Sequence, residues 1–193
     1  MSDIMISEIL HRSAEVKNKM IPVCAGPAEQ AAQMIAASMR KGGKLMLCGN
    51  GGSAGDSQHL AAEFVATLDH TKLRPGLPAL SLTTDTSFLT AYANDFGFEG
   101  VFARQVEALG QPGDVLLGIS TSGNSKNVLA AAKAAQDNQI SVIAFTGETG
   151  GQMADFSDLL VAIPSRIIMH IQECHIALGH AITARVETLL SEK

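Results

Sequence analysis

Short apolar runs recur along the chain, and stretches with helical spacing separate them. The five runs, rich in Val, Ile, Leu and Ala, lie at 44–48, 78–82, 114–119, 141–146 and 159–163. Helical patterns fall at about 53–67, 86–94, 100–109, 125–138, 151–154 and, as a long amphipathic stretch, 167–190. Apolar runs with little polar alternation are typical of parallel strands that are covered on both faces. The pattern therefore predicts a doubly wound α/β fold with ligands at the carboxyl ends of the strands.

Two more helical patterns, at about 3–19 and 27–40, precede the first strand. Pro22 and a Gly-Pro pair at 26–27 lie between them and predict a break in the helix. We therefore expect a helical hairpin over residues 1–41, whose apolar faces are available to pack on another subunit.

Length, charge and cysteine content narrow the class of protein. The 193 residues suit one domain, 1–193, with an α/β core over 44–193. A formal net charge of −5 argues against a nucleic-acid-binding surface, which would need a basic stripe. No apolar run approaches the roughly 20 residues that span a bilayer, so no membrane partner is expected. The three cysteines lack metal-type spacing, and a reducing cytoplasm is the expected location.

A glycine-rich turn follows the first predicted strand and opens a helix. It consists of Gly49, Asn50, Gly51, Gly52 and Ser53. Glycines let the backbone come close to a ligand, and the helix start offers free N–H groups to an anion. The turn matches neither a Walker loop nor the Gly-x-Gly-x-x-Gly fingerprint. A tight strand-to-helix turn explains the glycines alone, whereas the side chains of Asn50 and Ser53 add hydrogen-bonding capacity.

A second polar turn follows the strand at 114–119. It contains Ser120, Thr121, Ser122, Asn124 and Ser125, just where a helix begins. Hydroxyls and helix N-terminal amides together can hold a phosphate dianion without a lysine. One serine or asparagine is enough to cap a helix, and four hydroxyls in six positions exceed that need. We therefore interpret this turn as a phosphate site.

His59 and Glu63 lie four residues apart, on one face of the helix after the glycine turn. That spacing serves metal ligation or paired acid–base chemistry, although a solvated pair would be the default for an arbitrary helix. Asn94 and Asp95 follow another helix, where they either form a cap or hydrogen-bond sugar hydroxyls.

The last helix carries Gln172 and His180 on a largely apolar background. They are eight residues apart, which offsets them by roughly 80° around the helix and about 12 Å along it. The side chains of Gln172 and His180 in the same chain can therefore hardly reach one ligand atom. We hypothesise that a site using both side chains draws on more than one subunit.

The motifs together resemble those of the bacterial phosphoheptose isomerases over nearly the whole chain. They are Cys-Gly-Asn-Gly-Gly-Ser (48–53), Gln-His-Leu-Ala-Ala-Glu (58–63), Asn-Asp-Phe-Gly-Phe (94–98), Gly-Asp-Val-Leu-Leu-Gly-Ile-Ser-Thr-Ser-Gly-Asn-Ser (113–125) and Ile-Gln-Glu-Cys-His (171–175). The resemblance implies the sugar isomerase (SIS) fold, a three-layer α/β sandwich with a five-stranded parallel sheet, assembled as a homotetramer. It also implies conversion of D-sedoheptulose 7-phosphate to D-glycero-D-manno-heptose 7-phosphate, the first step towards the ADP-heptose of lipopolysaccharide.

The same resemblance implies roles for individual residues. Glu63 is expected to be the general base and His180 its acid partner. Zinc is expected, one ion per subunit, at His59, Glu63, Gln172 and His180, with sites at subunit interfaces. Substrate contacts are expected from Asn50, Gly51, Gly52, Ser53, Glu63, Asn94, Asp95, Ser120, Thr121, Ser122, Ser125 and Gln172. His170 departs from the relatives, which usually carry arginine at that position.

Two other kinds of SIS protein are alternatives to the phosphoheptose isomerase hypothesis. One is a non-catalytic tetramer that binds the replication initiator DnaA and lacks the acid four residues after the histidine. Glu63 is present here, which favours the enzyme. The other is an isomerase of a pentose or hexose phosphate, against which the heptose-type motifs argue.

Overall fold

The computed structural model describes residues 5–71 and 73–191. Within them one parallel sheet contains Leu45–Gly49 (β1), Ala79–Ser81 (β2), Val115–Ile119 (β3), Ser141–Gly147 (β4) and Leu159–Ile163 (β5). The helices are Ile6–Arg40 (α1), Gly52–Val65 (α2), Thr86–Phe96 (α3), Ala103–Leu109 (α4), Lys126–Asp137 (α5) and Ile168–Ser191 (α6). Short 3-10 helices span Phe98–Gly100 and Gly151–Phe156. The predicted doubly wound α/β fold is confirmed, with element ends shifted by a few residues.

The strand order is β2-β1-β3-β4-β5, so the order along the sheet reverses beside β1. β1 and β3 are neighbours, and Gly49 at the end of β1 is in register with Ile119 at the end of β3. The loops that follow these two strands therefore leave the sheet side by side. In open α/β sheets this reversal of order marks the crevice where ligands bind.

Two apolar layers cover the sheet because strand side chains alternate between its faces. Leu45 and Leu47 point into a layer that also contains buried residues of α1, α2 and α6. Met46 and Cys48 point into the opposite layer, which is built with α4 and α5. The three cysteines of the chain, Cys24, Cys48 and Cys174, are buried in these layers as free thiols.

The predicted N-terminal hairpin is wrong, because α1 runs as one helix from Ile6 to Arg40 through Pro22 and Pro27. A proline inside a helix costs about 3 kcal/mol through a lost hydrogen bond and a clash. Here an apolar stripe continues across both prolines and packs into the core, with Met20, Cys24, Ala28, Ala31, Ala32, Ile35 and Ala36 buried. Pro22 lies on the exposed face, where water can bind the freed carbonyl groups. Burial of the continuous stripe outweighs the local cost. The start predicted near residue 3 lies outside the described residues.

Helices α2 and α6 lie against each other at Gly179 and Leu60. A Cβ atom on Gly179 would lie 2.5 Å from one methyl carbon of Leu60 and 2.6 Å from the other. Leu60 is buried, so its side chain has little room to move away. The missing side chain of Gly179 therefore sets how closely α6 approaches α2.

His175 connects α6 to the sheet through a hydrogen bond and a ring contact. The buried ring donates from Nε2 to the carbonyl oxygen of Thr146 in β4, over 3.1 Å, and packs against Phe145. Its Nδ1 is buried without a hydrogen-bond partner among the described residues. Burial lowers the pKa of His175 to about 4, a shift that the hydrogen bond to Thr146 opposes only in part.

None of the helices in residues 5–71 and 73–191 combines the length and the hydrophobicity that crossing a membrane requires.

We expect Gly179→Val to lower the free energy of unfolding by about 1–3 kcal/mol, because the added methyl groups overpack the contact with Leu60. Gly55→Val is the matched control on α2, since a Cβ at Gly55 meets no atom within 4 Å. The measurement is denaturant unfolding of both variants. Equal stability of the two would show that the contact at Gly179 does not limit the approach of the helices.

We expect His175 to make stability depend on pH. Its folded pKa of about 4 lies below the ordinary value of 6.5, so the unfolded chain binds the extra proton first as the pH falls. The free energy of unfolding should therefore drop between about pH 6.5 and pH 4, by up to about 3 kcal/mol from this group. Unfolding curves across this range should be flatter for His175→Gln, in which the side-chain amide can still donate to Thr146. Identical pH slopes for wild type and variant would contradict the assignment.

Candidate active site

The side chains of His59, Glu63 and His180 meet between α2 and α6. Their potential ligand atoms all lie within 4.8 Å of one another. His59 Nε2 is 2.8 Å from His180 Nε2 and 3.5 Å from Glu63 Oε1. Three of the four predicted zinc residues therefore converge within a single chain. The His59 side chain is half exposed, so the cluster is open to a ligand.

The chemistry of this cluster fits a zinc ion. Two imidazole nitrogens and a carboxylate oxygen are ligands that zinc takes in catalytic sites, where a further position stays open for water or substrate. Two neutral imidazole nitrogens 2.8 Å apart can share only one proton, whereas a cation would satisfy both lone pairs. Among the described residues, His59, Glu63 and His180 are the histidine, cysteine or acidic side chains that lie close enough together to hold a metal.

Asp56 lies one turn before His59 on α2 and was not predicted as a site residue. Its Oδ2 atom is buried and has no hydrogen-bond partner among the described residues. Burial raises the pKa of the Asp56 carboxyl, and the nearby His59 and His180 lower it by less. The three-residue spacing from His59 was the available sequence signal, but a lone aspartate on a helix is too common to be informative.

The side chain of Gln172, near the start of α6, lies beside the first residue of α2, two turns before His180. A Cβ on Gly52 would be 2.6 Å from Gln172 Nε2, so the glycine makes room for this amide. Further along, His180 of α6 contacts His59 of α2. The two helices thus run side by side in the same direction, and Gln172 and His180 meet α2 at different points. We predicted that a site using both Gln172 and His180 draws on more than one subunit, and this stays a prediction.

The two polar turns are brought together at the ends of β1 and β3. In the first, Gly51 has φ +56°, a conformation that glycine adopts without strain. Asn50 is joined to Asn127 of the second turn region by two hydrogen bonds of 2.8 and 2.9 Å. In the second turn, the hydroxyls of Ser120 and Ser125 are 2.9 Å apart. The predicted sugar and phosphate loops therefore form one surface.

A cavity of about 340 Å³ lies beside the serine turn. It is lined by Thr121, Ser122, Gly147, Glu148, Thr149, Ser165, Arg166, Ile168 and Ile171. Arg166 forms an ion pair with Glu148 at its exposed rim. The charged groups at the rim therefore form a neutral pair, beside Thr121 and Ser122 of the turn that was predicted to hold a phosphate.

Asn94 and Asp95 lie near the end of α3 and are exposed, with Asn94 Nδ2 donating to Asp95 Oδ1 over 2.8 Å. Within residues 5–71 and 73–191, no hydrogen bond joins either one to the other predicted site residues. Their contact with sugar hydroxyls stays a prediction.

His170 is buried in the contact between α6 and α1 and is 1% exposed. Its Nδ1 lies 3.3 Å from Glu173 Oε2, which also accepts a hydrogen bond of 2.5 Å from Ser13 in α1. The hydrogen bond from Ser13, with a smaller effect of His170, lowers the pKa of Glu173. The residue that departs from the relatives is thus buried between two helices, with its Nε2 lacking a hydrogen-bond partner among the described residues.

Comparison with known proteins places the chain in a family. A family model for the SIS domain matches residues 10–147. The phosphoheptose isomerase of Roseiflexus sp. is 49% identical over 98% of this chain and 94% of its own length. This chain belongs to the phosphoheptose isomerase family.

Solved structures from the family share the fold. The phosphoheptose isomerase of Neisseria gonorrhoeae is 43% identical, with a TM-score of 0.88 over 95% of this chain and 97% of that one. That of Francisella tularensis is 35% identical, with a TM-score of 0.91 over 95% and 96%. The SIS fold implied by the sequence motifs is confirmed.

Proposed function

We propose that the chain is a phosphoheptose isomerase that interconverts D-sedoheptulose 7-phosphate and D-glycero-D-manno-heptose 7-phosphate. The observation that carries this is the convergence of Glu63, His59 and His180 between α6 and α2, the helix that begins at the glycine turn after β1. A carboxylate, imidazoles and a hydroxyl-rich turn are the groups that an aldose–ketose isomerase of a sugar phosphate needs.

The reaction moves a proton between C1 and C2 through an enediolate. Glu63 is the proposed base, since a carboxylate can take the proton from one carbon and return it to the next. His180 is the proposed acid, which exchanges a proton with the sugar oxygens. The half-exposed cluster leaves room for the reacting end of a substrate.

We further propose one zinc ion per subunit, held by His59, Glu63, Gln172 and His180. When bound, the ion would act as a Lewis acid towards the developing oxygen charge. The donor set of His59, Glu63 and His180 supports this, and Gln172 is the one proposed ligand that this chain holds apart from them. Glu63 and His180 cannot be tight ligands and free proton-transfer groups at once, so the proposal requires ligation to loosen during turnover.

The phosphate is proposed to lie on Ser120, Thr121, Ser122 and Ser125. These hydroxyls stand at the start of α5, where free backbone N–H groups favour an anion. The sugar hydroxyls are proposed to contact Asn50, Gly51, Gly52, Ser53, Glu63, Asn94, Asp95 and Gln172.

A homotetramer, a cytoplasmic location and a role in lipopolysaccharide heptose synthesis are also proposed, on the resemblance alone. The DnaA-binding alternative is disfavoured by the family match and by Glu63, whose carboxylate lies 3.5 Å from His59.

We expect Glu63→Gln to lower kcat by about 10²–10⁴-fold, because the amide cannot accept the proton from carbon. Glu107→Gln is the control, since Glu107 is an exposed partner of Arg104 on α4 and far from the cluster in the fold. The assay is conversion of sedoheptulose 7-phosphate by purified protein. Near-normal turnover by Glu63→Gln would refute its role as the base. Inactive wild-type protein under all metal conditions would favour a binding module, with DnaA as the first partner to test.

We expect metal-stripped protein to bind zinc, and His59→Gln to weaken that binding by roughly tenfold or more through loss of an imidazole ligand. Isothermal titration with zinc alone measures this without any assay of activity. His11→Gln is the matched control, because His11 lies exposed on α1. Equal zinc affinity of wild type and His59→Gln would exclude the cluster as the metal site.

A further inference from the structure

Asn127 is a buried polar residue in the first turn of α5 that the reaction described above does not use. It is 4% exposed. Its Nδ2 donates to Asn50 Oδ1 over 2.8 Å, and Asn50 Nδ2 donates back to Asn127 Oδ1 over 2.9 Å. The two amides are 77 residues apart in sequence. This reciprocal pair is a side-chain link between the loop after β1 and the helix that follows the loop after β3.

The backbone of α5 sets the orientation of Asn127. Its Oδ1 also accepts a hydrogen bond of 3.0 Å from the Val128 N–H, one of the free donors at a helix start. The oxygen end of the Asn127 amide must therefore face both Val128 and Asn50. Asn50 has no comparable backbone anchor in the described contacts, so its orientation follows from that of Asn127.

The pair leaves part of Asn50 free for a ligand. A primary amide has two N–H donors and two acceptor positions, and the pair uses one of each. Asn50 is half-buried, next to Gly51 and Gly52 at the exposed turn. Its second N–H and second lone pair are thus available, in one fixed orientation, to a sugar hydroxyl.

We propose that Asn127 is a positioning residue for substrate binding, which fixes the amide of Asn50 and the spacing between the sugar loop and the phosphate loop. The proposal rests on the proposed function, because it takes Asn50 as a contact of the sugar phosphate. Asn127 acts through Asn50 and does not touch the reacting atoms.

Loss of the link between Asn127 and Asn50 should weaken substrate binding and leave the rate of the chemical step largely unchanged. Without Asn127, the Asn50 amide can rotate, and the substrate must order it on binding. Glu63 and His180 lie on other helices and keep their geometry. We therefore expect loss of the link to raise KM by about 5- to 30-fold, while kcat changes by less than about threefold.

The test is a double-mutant cycle with Asn127→Ala and Asn50→Ala. Alanine at 127 removes both hydrogen bonds to Asn50 and adds no charge beside the phosphate turn. We expect Asn127→Ala to raise KM in the wild-type background and to change it by less than about twofold in the Asn50→Ala background. Asn138→Ala is the control at the far end of α5, where Asn138 Nδ2 donates only a local bond to Ala134 O.

The outcomes separate positioning from general structural support. Additive effects of the two substitutions, or an unchanged KM for Asn127→Ala, would overturn the proposal, and thermal unfolding of each variant identifies a loss caused by instability alone. If wild type binds sedoheptulose 7-phosphate without turnover, the proposed function fails, and the same cycle is read from dissociation constants by calorimetry. Absence of any binding to wild type would overturn both.

Discussion

The close approach of α6 to α2 at Gly179 is the constraint on which the proposed chemistry depends. Because Gly179 has no side chain to meet Leu60, His180 on the next position of α6 comes within hydrogen-bond distance of His59 on α2. The ligand cluster is therefore built from the faces of two packed helices and needs no flexible loop. The packing of α1 along α6 and the bond from His175 to β4 hold the same helix from its other sides.

The second half of the site depends on the sheet. Parallel strands β1 and β3 are neighbours in register, so their carboxyl ends deliver a glycine turn and a serine turn to the same edge. Helix α2 connects the two halves, since it begins at the glycine turn and carries His59 and Glu63 further along its length. A substrate with a phosphate at one end and a carbonyl at the other suits a site in which the proposed anion-binding turn stands at the start of α5 and the proposed proton-transfer groups on α2 and α6.

Local patterns were sufficient for some features and misleading for others. Continuous apolar runs located the strands, and the four-residue spacing placed His59 and Glu63 on one face. The N-terminal break was mispredicted because proline rules are local, whereas burial of the stripe through Cys24 and Ala28 is a tertiary effect. Asn127 was not identified because its partner lies 77 residues away, and Asp56 because its burial depends on α6 packing nearby. No spacing rule along a single segment can reveal such contacts.

The burial of every cysteine has a consequence for the reactivity of the folded protein. Burial raises the pKa of Cys24 to about 11 and that of Cys48 to about 12, and it also raises the pKa of Cys174. Alkylating and oxidising reagents attack the thiolate, which at pH 7 makes up only about one part in ten thousand of a thiol with a pKa near 11. The native protein should thus be nearly inert to such reagents. A single cysteine introduced on its surface would carry a spectroscopic label without removal of the natural ones.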